Sequence, residues 1–195
     1  ENGNLVMVTS ALPGEGKTFT SMNLAMSMAM ELDTTVLLID SDVVRASLTE
    51  MLGLSERNGL IDVLLNPECD ISDVIVNTDM PNIKVMPAGH RHDRSTELLA
   101  SEQMRQLTKE LSQRYPDRIV IFDAPPILVT TEASVLAPHL GQILLVVEAA
   151  RTPQNAVKMA LSRLDEDQVI GMVLNKSRKA FSSAYYGVYY YRPKE

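Results

Sequence analysis

The chain has 195 residues, 45% of them apolar and 22% charged, an ordinary balance for one compact domain with its own core. Its net charge of -7 argues against general nucleic-acid binding, which favours a basic surface. A single cysteine, Cys69, excludes an internal disulfide framework and suits a reducing compartment, and no apolar run approaches the roughly 20 residues of a membrane-spanning helix.

The chain opens at Glu1, without Met or a signal-peptide pattern, almost directly into an apolar run. That start leads us to expect a fragment trimmed on its N-terminal side. LVMVTS (5–10) reads as a strand, and SALPGEGKT (10–18) follows it and opens a helix. This is the context of a P-loop. Gly14 and Gly16 let successive N–H groups turn inward on phosphate oxygens, and the helix N-terminus adds partial positive charge. Lys17 is placed to reach the β- and γ-phosphates, and the Thr18 hydroxyl to ligate Mg²⁺. Pro13, Gly14, Glu15, Gly16, Lys17, Thr18 and Phe19 are therefore the candidate nucleotide cradle, with Ala11 where a first glycine is usual. The helix is expected over 18–31, well buried, its methionines filling core.

TVLLID (35–40) is the second strand. Just past it, Asp40 and Asp42 lie two residues apart, on one side if the backbone stays extended. Like charges so placed call for a cation between them or a proton on one. Short helices are expected over 47–52 and 60–65, with Cys69 an ordinary loop thiol. A strand follows at IKVMPA (83–88). The loop pair His90 and His92 has no clustered Cys or acidic partners to suggest zinc. A helix over 95–114 starts at STE, where Ser or Thr offers a cap before Glu97.

RIVIFDAPP (118–126) places Asp123 at the C-terminal end of a buried strand, where ligands bind in such sheets. That position reads as a Walker-B-like aspartate helping to hold Mg²⁺. His139 is assigned a structural role. QILLVVE (142–148) and VIGMVLN (169–175) are the last strands, separated by a helix after Thr152-Pro153, a cap with Pro at the first helical position. The strands are nearly continuous in apolar residues, as in parallel sheets buried on both faces. Alternation of strands and helices predicts a doubly wound, mostly parallel α/β fold. Asn175 ends the last strand and is a candidate adenine contact. Asn175-Lys176-Ser177-Arg178 lacks the Asp of a guanine-reading Asn-Lys-x-Asp motif. We divide the chain into a P-loop domain, 1–178, and a tail, 179–195, that holds Tyr185, Tyr186, Tyr189, Tyr190 and Tyr191.

The ordered motifs PGEGKT with Asn23-Leu24-Ala25, LIDSDV, Pro87-Ala88-Gly89 through Glu97-Leu98-Leu99, FDAPP, RTPQNAV and GMVLNKSR resemble the bacterial tyrosine kinases. These are P-loop kinases of MinD/ParA-like fold that act in capsule and exopolysaccharide export. The likeness is strongest to the exosortase-associated tyrosine autokinases and covers nearly the whole chain. It implies an ATP- and Mg²⁺-dependent protein-tyrosine kinase, with Lys17, Asp40, Asp42 and Asp123 as its catalytic set. Thr18, Asp42 and Asp123 would be the metal ligands and Asp40 the group that helps deprotonate tyrosine. The five tail tyrosines would be autophosphorylated, between subunits. The resemblance also implies a homo-oligomer, a membrane-embedded polysaccharide co-polymerase as activator, an opposing tyrosine phosphatase, and residence at the inner face of the cell membrane. Val44 stands where the family's Asp-x-Asp-x-Arg motif has Arg, with Arg45 one position later, and the family's Glu-x-x-Arg-x-x-Arg assembly motif is not in this sequence. The alternatives are a switch ATPase of the MinD/ParA type, whose extra lysine is Leu12 here, and a nucleotide-binding module without turnover.

Overall fold

The computed structural model describes residues 2–66, 68–114 and 117–177. In chain order its strands are β1 (Leu5–Ser10), β2 (Thr35–Asp40), β3 (Val76–Asn77), β4 (Ile83–Met86), β5 (Arg118–Asp123), β6 (Gln142–Glu148) and β7 (Val169–Asn175). The helices are α1 (Lys17–Met28), α2 (Ser47–Met51), α3 (Leu60–Leu65), α4 (Ile71–Val74), α5 (Ser95–Leu99), α6 (Glu102–Arg114), α7 (Glu132–Leu136) and α8 (Gln154–Leu161), with a 3-10 turn at Ala137–His139. The strands form one sheet in the order β3-β4-β2-β5-β1-β6-β7, parallel except where the short β3 runs antiparallel to β4. The predicted tail, 179–195, with its five tyrosines, lies outside the described residues, as does Arg178.

Two apolar layers hold the sheet. Leu5, Met7, Leu37, Ile39, Val120 and Phe122 pack on one face with α3, α6, α7 and α8. Val8, Val36, Leu38 and Ile121 pack on the other, with Ala25 and Ala29 from α1 and its end and Leu48 from α2. Alternate residues of each strand thus enter opposite layers, which is why these strands read as continuous apolar runs.

The expectation of burial on both faces fails for β7. It is an edge strand, and Val169, Met172 and Leu174 are exposed. The expectation for α1 is also corrected. Only a narrow stripe of Lys17, Ser21, Ala25 and Ala29 is buried, while Phe19, Met26 and Met30 face solvent. The single helix expected over 95–114 is two. Ser101 divides them: its hydroxyl donates to the Leu98 carbonyl (2.7 Å) and accepts from the Met104 N–H (3.3 Å), capping α6. At the start of α5 no side chain caps, and the Thr96 hydroxyl instead donates to Glu132 of α7 at 2.8 Å. Pro153 stands at the N-cap of α8 rather than inside its first turn.

Candidate active site

The parallel register brings the acidic strand ends together. Asp123 at the end of β5 lies opposite Asp40 on β2 and opposite Val8 on β1. The chain after β5 is then fastened along the phosphate loop. Ala124 N–H donates to the Val8 carbonyl, Ile127 N–H to that of Ser10, and the Thr9 hydroxyl to the Pro125 carbonyl at 2.6 Å. FDAPP is therefore a rigid wall of the loop.

The loop takes the conformation its glycines permit. Gly14 (φ 81°) and Gly16 (φ 97°) are left-handed, and Gly16 caps α1. A Cβ on Gly16 would stand 2.2 Å from Asn175 Nδ2, so β7 closes directly on the loop. Glu15 is turned inward. Its Oε2 accepts from Leu12 N–H at 2.7 Å, and its Oε1 meets the Thr152 hydroxyl. The Glu15 side chain is thus committed inside the loop, and Thr152, expected as a helix cap, is committed to Glu15. Phe19 points away and is 64% exposed. Asn175 spends its amide on the loop, Nδ2 donating to the Glu15 carbonyl at 2.8 Å.

Lys17, Asp40, Asp42 and Asp123 are buried around the start of α1. Lys17 Nζ pairs with Asp42 Oδ2 at 2.8 Å. Asp42 Oδ1 accepts from Arg45 N–H at 3.2 Å. Asp40 is enclosed differently. Its Oδ2 accepts from both the N–H (2.8 Å) and the hydroxyl (2.7 Å) of Thr49, and its Oδ1 from Asp42 N–H (3.2 Å). Burial raises its pKa, against the bonds from Thr49. Asp123 Oδ1 lies 3.1 Å from the Ser21 hydroxyl, while Oδ2 is buried with no hydrogen-bond partner among the described residues. Burial pushes its pKa up to about 6, against the Lys17 charge and the Thr18 hydroxyl.

An orphaned, buried carboxylate oxygen beside a threonine hydroxyl is the donor set that a small hard cation completes. No three His, Cys, Asp or Glu side chains converge on one point among the described residues. The Asp123 oxygen and the Thr18 hydroxyl fit a cation of the Mg²⁺ type, which takes oxygen ligands and keeps several waters. His90 pairs instead with Asp62 at 2.9 Å, outside this cleft.

Sequence reasoning missed Ser21, Thr49, Glu148, Thr152 and Lys176. Ser21 had a signal, since it follows Lys17 by four and so shares its helix face. Thr49 had none, because only the β2–α2 turn carries it back to Asp40.

The AAA domain family model matches residues 4–163. Tyrosine-protein kinase Wzc of Salmonella typhimurium is 35% identical over 96% of the chain. The chain spans only 26% of that relative's length. The crystal structure of the VpsO kinase domain superposes with a TM-score of 0.79 at 30% identity, over 88% of this chain and 83% of that one. The chain belongs to the bacterial tyrosine-protein kinases, within the AAA domain proteins. The fold of this kinase family is shared more widely. The septum site-determining protein MinD of Pyrococcus horikoshii, solved with Mg-ADP, has a TM-score of 0.69 at 24% identity, over 87% of this chain and 69% of that one.

Proposed function

We propose that the chain is the catalytic domain of an ATP-dependent protein-tyrosine autokinase that phosphorylates its own tail tyrosines, Tyr185, Tyr186, Tyr189, Tyr190 and Tyr191. The observation that carries this is the second acidic motif. Asp42 reaches the phosphate-loop lysine at 2.8 Å, and Asp40 lies in register with Asp123, so both acidic motifs stand at strand ends beside the phosphate loop.

The chemistry rests on these residues. The N–H groups of Gly14 to Thr18 and the Lys17 ammonium offset charge on the β- and γ-phosphates. Lys17 would leave Asp42 for the phosphates as they enter. Thr18, Asp42 and Asp123 would hold Mg²⁺, which when bound neutralises phosphate charge. A tyrosine oxygen attacks the γ-phosphorus, its bond to the β-bridging oxygen breaks, and ADP leaves. The phenol has an ordinary pKa near 10, so its proton needs an acceptor. Asp40 is that acceptor. Its Oδ1 carries only the longer bond from Asp42 N–H, at 3.2 Å, while Thr49 holds Oδ2.

We assign the chain a role in regulating capsule or exopolysaccharide synthesis and export, at the inner face of the cell membrane. Its partners there would be further copies of itself, a membrane-embedded co-polymerase as activator and an opposing tyrosine phosphatase. Attachment would come through another segment or chain. No helix among the described residues is long and apolar enough to cross a membrane. The test is incubation with Mg-ATP and detection of phosphotyrosine, with Lys17→Met as control. Phosphotyrosine on the intact chain alone is the expected result. ATP hydrolysis without phosphotyrosine, in the presence of the activator, would mark a switch ATPase and overturn the proposal.

A further inference from the structure

A phosphate loop works only if its N–H groups face the anion. Each peptide is planar, with its N–H opposite its C=O, so an inward N–H requires an outward carbonyl. An outward carbonyl that lacks a donor leaves its peptide free to turn over and present oxygen to the phosphate. Two consecutive carbonyls of this loop have donors, and both come from the end of β7. Asn175 Nδ2 donates to the Glu15 carbonyl at 2.8 Å, and Lys176 Nζ to the Gly14 carbonyl at 2.6 Å. The first bond fixes the N–H of Gly16 and the second the N–H of Glu15.

The arrangement around Lys176 is built. Lys176 lies in the left-handed region at φ 55°, a conformation that costs a side-chain-bearing residue about 1 kcal/mol or more and collects at functional sites. Its own N–H donates to Asn175 Oδ1 at 2.8 Å. Its ammonium is shared with Glu148 Oε2 at 3.1 Å, at the end of β6, and Glu148 N–H donates to the Thr152 hydroxyl oxygen at 3.1 Å. Thr152 in turn meets Glu15. The ends of β6 and β7 thus grip the loop from outside at Gly14 and at Glu15, backbone and side chain.

We propose that Lys176 is a positioning residue for nucleotide binding, holding the Gly14–Glu15 peptide so that its N–H faces the phosphates. The inference rests on residues 10–18 being a nucleotide cradle and is independent of tyrosine as acceptor. Lys176 touches no reacting atom. Its effect passes through the loop, so it acts on nucleotide affinity rather than on the stability of the nucleotide-free chain.

The experiment measures Mg-ADP binding by calorimetry and melting of the nucleotide-free protein, for the unaltered chain, Lys176→Met and Lys176→Arg. Lys176→Met removes the donor and keeps the stem. It should weaken Mg-ADP binding roughly tenfold, the worth of one charge-assisted hydrogen bond. Its melting temperature without nucleotide should stay within about 2 °C of the unaltered chain. Lys176→Arg keeps a donor and the pairing with Glu148, and should recover most of the affinity. Unchanged Mg-ADP affinity in Lys176→Met overturns the inference. So does a loss matched by a fall in melting temperature, or one that Arg fails to restore. If the unaltered chain does not bind Mg-ADP, the nucleotide cradle itself is refuted and this inference falls with it. If it binds Mg-ADP but forms no phosphotyrosine, only the kinase proposal fails.

Discussion

Lys17 and Asp42 form an ion pair at 2.8 Å with both partners buried. Removing one partner of such a pair strands a charge away from water. Lys17→Met, the natural inactive control, should therefore lower stability by about 3–5 kcal/mol as well as abolish activity. Adding Asp42→Asn should return part of that stability, since Asp42 is then uncharged while Asp123 still lacks the Lys17 charge. Urea midpoints of the two variants check this, and a double variant no more stable than the single one would refute it. Asp123 works in the other direction. Its folded pKa of about 6 stands above its ordinary 3.8, so the folded chain holds that proton more tightly than the unfolded one. The resulting stability is fully present below about pH 4 and lost as pH rises through 6. At about 1.4 kcal/mol per pH unit, the ionised carboxylate costs the nucleotide-free fold about 3 kcal/mol at neutral pH. Asp123→Asn should then raise the melting temperature at pH 7.5 and flatten its slope between pH 4 and 6. Asp40, also raised by burial, will keep part of that slope.

Elements follow the sequence where one physical rule dominates and depart from it where two compete. β1, β2 and β5 were legible because burial on both faces leaves an unbroken apolar run. β7 carries the same pattern in VIGMVLN, yet it lies at the sheet edge with Met172 and Leu174 exposed, because strand order is not written in composition. The phosphate loop was legible down to its glycines. The grip on it from β6 and β7 was not, since it joins residues more than a hundred apart in sequence. At α5 and α6 a helical periodicity running through 95–114 hid a local cap. Ser101 satisfies the Met104 N–H, so Ser101→Ala should destabilise the fold by about 1 kcal/mol. That corresponds to a fall of about 2–4 °C in melting temperature for a chain of this length, which calorimetry can resolve. No change would mean that α5 and α6 are separated by packing alone.

At the scale of the whole molecule the open matter is which site the tail serves. The described chain ends beside its own phosphate loop, with Lys176 Nζ 2.6 Å from the Gly14 carbonyl. Tyr185 lies eight positions past Ser177. At about 3.3 Å per residue that stretch spans at most about 26 Å. Tail length does not choose between the chain's own cleft and a neighbour's, and rate separates the two. Transfer between chains requires an encounter, so the initial rate of phosphotyrosine formation per chain should rise with protein concentration until assembly saturates. Transfer within a chain gives a rate per chain that does not depend on concentration. Charge then governs the fate of the modified chain. Each phosphotyrosine adds about -1.5 to -2 at neutral pH, to a chain that already carries -7. Five in one segment would roughly double that charge, repelling one another and the acidic body. Assemblies formed by the unphosphorylated chain should accordingly loosen as the tail is modified and re-form after phosphatase treatment. Particle mass by light scattering, before and after each step and at two salt concentrations, checks this. The loss of mass should be smaller at high salt, where the repulsion is screened. A mass that does not change on phosphorylation would separate autophosphorylation from assembly in this protein.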